Sequence, residues 1–370
     1  MLQATPANTR KPSTESPAPL RMRKLGQTRF TAIDLFSGCG GLTQGLRDAG
    51  FSVLAAVEID SLASITYRSN HPDVRLLESD IRKISGPQLL KATGISPGEL
   101  DLLAGCPPCQ GFSRLPDKNR RRRLADPRNR LIDDMLRLIE SLRPKTVMIE
   151  NVPNLSKYSR YANFKRRLRE LGYNVTDAVL DVADFGVPQR RKRLVVLASS
   201  LGTLSHPAPA KSRKTVRDAI AGLPPPKQSE DPLHSLTEAR SERIAALIRR
   251  VPRNGGSRTD LPRKFALKCH REIDGYFDVY GRMAWDDVSP TITGGCINPS
   301  KGRFLHPEAD RAITLREAAL LQSFPSGYRF SLDRGKYAAA EMIGNALPPV
   351  FSRIQARSIK LHLTSARARP

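Results

Sequence analysis

Short apolar runs alternating with helical patterns constrain this chain more than any other feature. Thr31–Phe36, Val53–Glu58, Leu100–Ala104, Thr146–Glu150 and Arg193–Ala198 each have the length and content of a buried strand. Between them the pattern predicts helices ending at Ala49, over Asp60–Ser69 with Asp60 as its cap, and near Leu131–Leu142 and Phe164–Leu171. Such alternation implies an α/β fold with a mostly parallel sheet covered on both faces. The 370 residues leave room for one large domain and one smaller one. There is no internal repeat.

The grammar breaks at about Ser199. His206–Pro232 is interrupted by prolines, Glu238–Arg250 has the pattern of a basic amphipathic helix, and residues 251–275 are polar, basic and Gly-rich. A loop-rich module inserted into the first domain is expected here. Regularity returns at Thr314–Gln322, where Thr314 and Glu317 form a capping box. Tyr337–Leu363 reads as helix on either side of Gly344-Asn345 and Pro348-Pro349. Residues 1–28, rich in Pro, Ser, Thr, Lys and Arg, read as a disordered basic tail.

Lys and Arg number 61 against 36 Asp and Glu, a formal charge of +25. That excess points to a polyanionic partner, nucleic acid first; an uninvolved basic surface is the alternative. No apolar stretch approaches a membrane span, and the N-terminus has no apolar core of the signal-peptide kind. The five cysteines, odd in number and without disulfide-framework spacing, fit a reducing compartment. The expected location is therefore cytoplasmic and nucleoid-associated, with no membrane partner.

Gly105 to Ser113 reads Gly-Cys-Pro-Pro-Cys-Gln-Gly-Phe-Ser. Two prolines cannot continue a ladder, so the chain leaves the sheet stiffly and presents Cys109 beyond the carboxyl end of a strand. A thiol so placed is either half of a redox pair with Cys106 or a nucleophile. The prolines and surroundings disfavour the redox pair, and Cys106 is expected to be buried filler. A zinc site would need a second ligand pair, which Cys39, Cys269 and Cys296 do not supply. After the first strand, Gly38, Gly40 and Gly41 allow either a tight turn or close approach to a nucleotide-like ligand, although the G-x-G-x-x-G pattern fails at Thr43. Glu58 ends the second strand, where a carboxylate can accept from ribose hydroxyls, and Asp80 can accept from an adenine amino group. A ribose and an adenine without a pyrophosphate cradle suggest S-adenosylmethionine over NAD.

Asp34 to Leu42, Pro108-Cys109-Gln110, Glu150-Asn151-Val152, Gln189 to Arg193, Arg311 to Pro325 and Gly344-Asn345 together resemble the ordered signature of the DNA cytosine-5 methyltransferases. The resemblance covers about residues 30–198 and 280–352. It implies a Rossmann-like S-adenosylmethionine-dependent sheet (29–199), a target-recognition region (200–285), a linking block (286–336) and a C-terminal segment that completes the catalytic domain (337–363). By the same resemblance Phe36 lies beside the adenine and the Gly344-Asn345 turn lines the methionine end, with Ala346 in the same cofactor-binding set. Ile59, Ile81 and Pro108 join the cofactor-binding set. A monomer acting on double-stranded DNA, with a possible cognate restriction endonuclease, is implied. A tRNA-directed enzyme and an inactive DNA-binding relative are the alternatives.

The chemistry explains the residue types. Cytosine C5 is too electron-poor to attack a methyl sulfonium until a thiolate, here Cys109, adds to C6. Glu150 can assist by giving N3 a proton, if burial keeps it protonated, while Arg191 and Arg193 hold O2 as charge develops. The target base must leave the stack. Arg120, Arg121, Arg122 and Arg123 are candidates to grip the backbone, a solvated charge run being the alternative. Gln110, Ser113 and Gln189 are further candidate DNA contacts, and Arg311 or Arg316 could touch phosphate.

Overall fold

The computed structural model describes residues 29–108, 130–267 and 277–368. The tail over 1–28 and the site residues Cys109, Gln110, Ser113, Arg120, Arg121, Arg122 and Arg123 lie outside the described residues.

The strands are β1 (Thr31–Leu35), β2 (Ser52–Glu58), β3 (Arg75–Glu78), β4 (Leu102–Gly105), β5 (Thr146–Asn151), β6 (Asn174–Asp181) and β7 (Lys192–Ser199). They form one sheet in the order β3-β2-β1-β4-β5-β7-β6. The first five run parallel, and β7 runs antiparallel to both β5 and β6, so a reversed hairpin closes one edge. β3 and β6 escaped the sequence reading because both are edge strands with few buried positions. The strand order reverses between β1 and β4, where the connections part and leave a crevice at the strands' carboxyl ends.

The helices are α1 (Gly41–Asp48), α2 (Ser61–Asn70), α3 (Gly86–Thr93), α4 (Leu131–Leu142), α5 (Ser159–Glu170), α6 (Val216–Ile220), α7 (Pro232–Ser235), α8 (Glu242–Arg250), α9 (Leu315–Leu321), α10 (Gly335–Asn345) and α11 (Pro349–Arg367). On one sheet face Ile33, Leu35, Leu103 and Ile149 pack against Met135, Leu138 and Ile139 of α4 and Phe164 of α5. On the other, Ala32, Ala56 and Leu102 meet Leu46 of α1 and Phe351 and Ile359 of α11. Each large side chain so buried contributes about 1.5–3 kcal/mol. The last helix thus packs into the layer built by the first.

A further core joins Val216, Trp285, Phe304, Leu315, Phe324 and Ile343. With no named strand there among the described residues, side chains do the bracing. Arg282, fully buried, donates to the carbonyls of Ile248 (2.8 Å), Val251 (3.0 Å), His306 (3.1 Å) and Ala309 (2.6 Å) and pairs with Asp310. The capping box of α9 forms as read, Thr314 Oγ1 accepting from Glu317 N–H and Glu317 accepting from Thr314 N–H at 2.7 Å. Arg311 and Arg316, the candidates for a phosphate contact, are engaged internally: Arg311 grips Glu317, and Arg316 is buried on Asp231 and the Tyr328 carbonyl. Among the described residues no helix is long and apolar enough to cross a membrane.

Candidate active site

A cavity of about 1010 Å³ occupies the crevice at the carboxyl ends of the parallel strands. Phe36, Gly38 and Gly41 reach it from the β1–α1 turn, Glu58 and Ile59 from β2, and Asp80 and Ile81 from beyond β3. Pro108 follows β4, Glu150 lies on β5, Arg191 and Arg193 lie at the start of β7, and Asn345 and Ala346 end α10. Of the described residues expected to be catalytic or cofactor-binding, only Gly40 does not line it, and Gln189, a candidate DNA contact, also lies apart from it. Gly40 caps α1 at φ 94°, and a Cβ there would lie 2.6 Å from the Tyr328 hydroxyl, so the junction itself demands glycine. Gln189, expected to face DNA, is fully buried. Its amide donates to Gln322 Oε1 (2.8 Å) and accepts from Ile292 N–H (2.9 Å), which makes it an internal strut.

At one end of the cavity Glu58 fastens the turn beside it. One carboxylate oxygen accepts from Gly38 N–H at 2.7 Å, and the other from the N–H groups of Ile59 (2.9 Å) and Asp60 (2.8 Å). A carboxylate has about four acceptor sites, so capacity remains for a ligand hydroxyl. Asp80 accepts from Arg82 Nε at 2.9 Å, and that guanidinium holds its carboxyl below the usual range. Phe36 adopts φ 59°, a left-handed conformation costly for a bulky residue and found where a site imposes it. Beneath the turn Asp34 is fully buried, accepting from Thr43 Oγ1 at 2.7 Å, and Thr43 in turn meets the Tyr67 hydroxyl at 2.8 Å.

At the other end strand register builds the charge cluster. Gly105 lies opposite Ile149, and Glu150 opposite Val195, so residues just past β4, on β5 and on β7 converge. Asn151 Nδ2 donates to the Pro107 carbonyl at 2.9 Å and so anchors the proline pair. Arg193 Nε meets Glu150 Oε1 at 2.6 Å, both side chains largely buried. Glu150 thus already has a guanidinium partner. Arg191 Nη1 donates to the carbonyls of Ile292 (3.0 Å) and Gly344 (2.9 Å), tying the segment around Ile292 to the end of α10. Burial, and behind it Arg193, disfavours the Arg191 charge, which Glu150 supports. Gly344 is required by close approach: a Cβ there would lie 2.2 Å from the Thr293 carbonyl carbon.

Asp60 and Arg334 also line the cavity and were missed; they pair at 2.6 Å from positions far apart in the chain, with no sequence signal to join them. Asn151 and Arg82 were missed as well, although each adjoins a residue already singled out. Among the described residues no group of His, Cys, Asp or Glu could hold a metal ion.

A parallel sheet ending in a reversed hairpin, with its cavity at the topological switch point, is the architecture of the Rossmann-like methyltransferases. Residues 30–361 match the C-5 cytosine-specific DNA methylase family. The chain belongs to that family and is a DNA cytosine-5 methyltransferase. It is similar to the Type II methylase M.HgiDII of Herpetosiphon aurantiacus, 37% identical over 90% of this chain and 95% of the relative. The Type II methyltransferase M1.HphI of Haemophilus parahaemolyticus is 36% identical over 89% of this chain and 86% of its own length. Among solved structures, a protein described as a DNA modification methyltransferase encoded within a prophage (E. coli) aligns with a TM-score of 0.66 at 26% identity, covering 90% of this chain and 99% of that one.

Proposed function

We propose that this protein methylates C5 of a cytosine within a specific double-stranded DNA sequence, using S-adenosylmethionine, with the base flipped out and bonded through C6 to Cys109 during transfer. One observation carries the reading. A single cavity joins the glycine turn and Glu58 at one end to the Glu150–Arg193 pair at the other, and Pro107 and Pro108, on its wall, lead directly to position 109.

The residues present fit the cofactor: Glu58 offers acceptors for ribose hydroxyls, Asp80 an acceptor for the adenine amino group, and Phe36, Ile59 and Ile81 apolar surface. When bound, the cofactor supplies a methyl group made electrophilic by a sulfonium. The chain supplies the rest. Arg191 and Arg193 put positive charge on the cavity wall, favouring a thiolate at Cys109 and stabilising charge that develops on the ring. Glu150, held by Arg193, gives a proton to N3 as the thiolate adds and takes it back as the thiolate leaves. Loss of the C5 proton to a base then releases the cysteine.

Residues 200–285 are the proposed target-recognition region, and Gln110, Ser113 and Arg120 to Arg123 the contacts that offset the flipping cost, a few kcal/mol. The Type II relatives support a restriction–modification setting, and a monomer accompanied by a cognate endonuclease is proposed with it. Bisulfite sequencing of DNA from a host expressing the protein should reveal one methylated sequence. A duplex carrying 5-fluorocytosine at that site should become covalently attached to the wild type and not to Cys109→Ala. No adduct with any duplex, or methylation by Cys109→Ala, would overturn the reading.

A further inference from the structure

The stretch that leads to Cys109 contains a second cysteine with no role in the chemistry above. Cys106 follows β4 and lines the cavity. Because Gly105 pairs with Ile149, Cys106 stands abreast of Glu150, and side chains so aligned leave a parallel sheet on the same face. Its N–H donates to the Leu35 carbonyl at 3.3 Å, which extends the register one residue beyond the strand. Cys106 and Glu150 line the same cavity side by side, and the Glu150 charge acts on the thiol. From β7, Arg193 meets Glu150 Oε1 at 2.6 Å. Burial, and behind it the charges of Glu150 and Asp34, pushes the Cys106 thiol well above its usual range, so it remains S–H and can donate.

We propose that Cys106 is a positioning residue, its S–H and Arg193 together clamping the Glu150 carboxylate so that it faces the flipped pyrimidine. The terminal carboxylate torsion of a glutamate is broad, and a second hydrogen bond narrows it. The proposal rests on the methyltransferase reading above and extends it to a residue that the nucleophile does not require.

The test uses Cys106→Ala and Cys106→Ser in the full chain, with a duplex carrying the mapped target site. Two readouts are taken, kcat against pH and the affinity for S-adenosylhomocysteine. Cys106→Ala should lower kcat about tenfold, the size of one hydrogen bond to a charged group. It should also move the alkaline limb of the kcat profile upward, because the anionic carboxylate has lost a donor, while S-adenosylhomocysteine affinity holds. Cys106→Ser, which keeps a donor, should recover most of the rate and the wild-type profile. An alanine variant with unchanged kcat and pH profile would overturn the proposal. So would a serine variant as impaired as alanine, or activity and affinity falling together, which is the mark of a packing defect. If the wild type itself methylated no duplex, the functional reading would fall instead.

Discussion

Two ion pairs line the same cavity and meet it under opposite conditions. At the inner end Glu150 and Arg193 lie 2.6 Å apart with side chains 10% and 14% exposed. At the rim Asp60 and Arg334 are also 2.6 Å apart, but 45% and 54% exposed. The distance is equal; the solvent is not. Water screens the rim pair, and such pairs contribute about 0–1 kcal/mol. The inner charges have lost their hydration, so each is tolerable only while the other is present. The rim pair closes a strap instead: Asn70 and Arg329 exchange hydrogen bonds at 2.9 and 3.0 Å, and Ser331 N–H donates to Thr66 at 3.0 Å. Arg334 then reaches Asp60 at the start of α2. Buried pairing holds charge where chemistry needs it, and exposed pairing only ties one segment to another.

The comparison breaks most visibly at Arg193. Arg193→Ala strands a buried carboxylate, so unfolding free energy should fall by about 3–5 kcal/mol and methylation by about 10²–10³-fold. Denaturant titration and a methyl-transfer assay check both. A loss no larger than that of a surface pair would erase the distinction.

Asp34 sharpens it. Glu317 is buried, yet its contacts with Arg311 outweigh the burial that would raise it and hold its carboxyl below the usual range. Asp34 is equally buried with only Thr43 as a donor among the described residues, and burial pushes it up to about 7, with Glu58 adding to the rise. The folded protein therefore keeps this proton to a higher pH than the unfolded chain, which releases it near about 4. This group's contribution to stability is intact at acid pH and is lost as pH climbs from about 4 to about 7. His71 and His306, lowered to about 4 by burial, act in the opposite sense below about pH 6.5, and comparison with Asp34→Asn cancels them. Between about pH 5 and pH 8 the melting temperature of the variant should gain on the wild type by roughly 2–4 °C. Parallel melting curves across that range would show that Asp34 does not carry the proton.

The smallest effect belongs to the rim. Arg334→Ala should cost under about 1 kcal/mol of stability and change S-adenosylhomocysteine affinity by about twofold, a difference that fades at about 1 M salt. A salt-independent loss would mean that Arg334 holds the ligand and not the strap.

Much of the architecture was legible beforehand. The five interior strands were found within a residue or two because each is an apolar run bounded by turn residues. Asp60 was recognisable as a helix cap and Thr314 with Glu317 as a capping box, since such motifs are local and stated in three or four letters. Gln189 was misread for the converse reason: a polar residue in a basic run looks exposed, and only the loop packed over it hides it.

The sequence by itself determined the alternating sheet, the glycine turn, the identity of the family and the residue types that its chemistry needs. All of these are encoded in neighbouring letters or in the order of motifs. Tertiary structure alone decided that Arg193 and not solvent meets Glu150, that Arg191 braces Gly344, that Cys106 stands beside the same carboxylate, and that Asp34 meets no cation among the described residues. Those relations depend on strand register and on burial. Both are set when distant segments pack, and the Coulomb energy of a charge depends on what replaces its water.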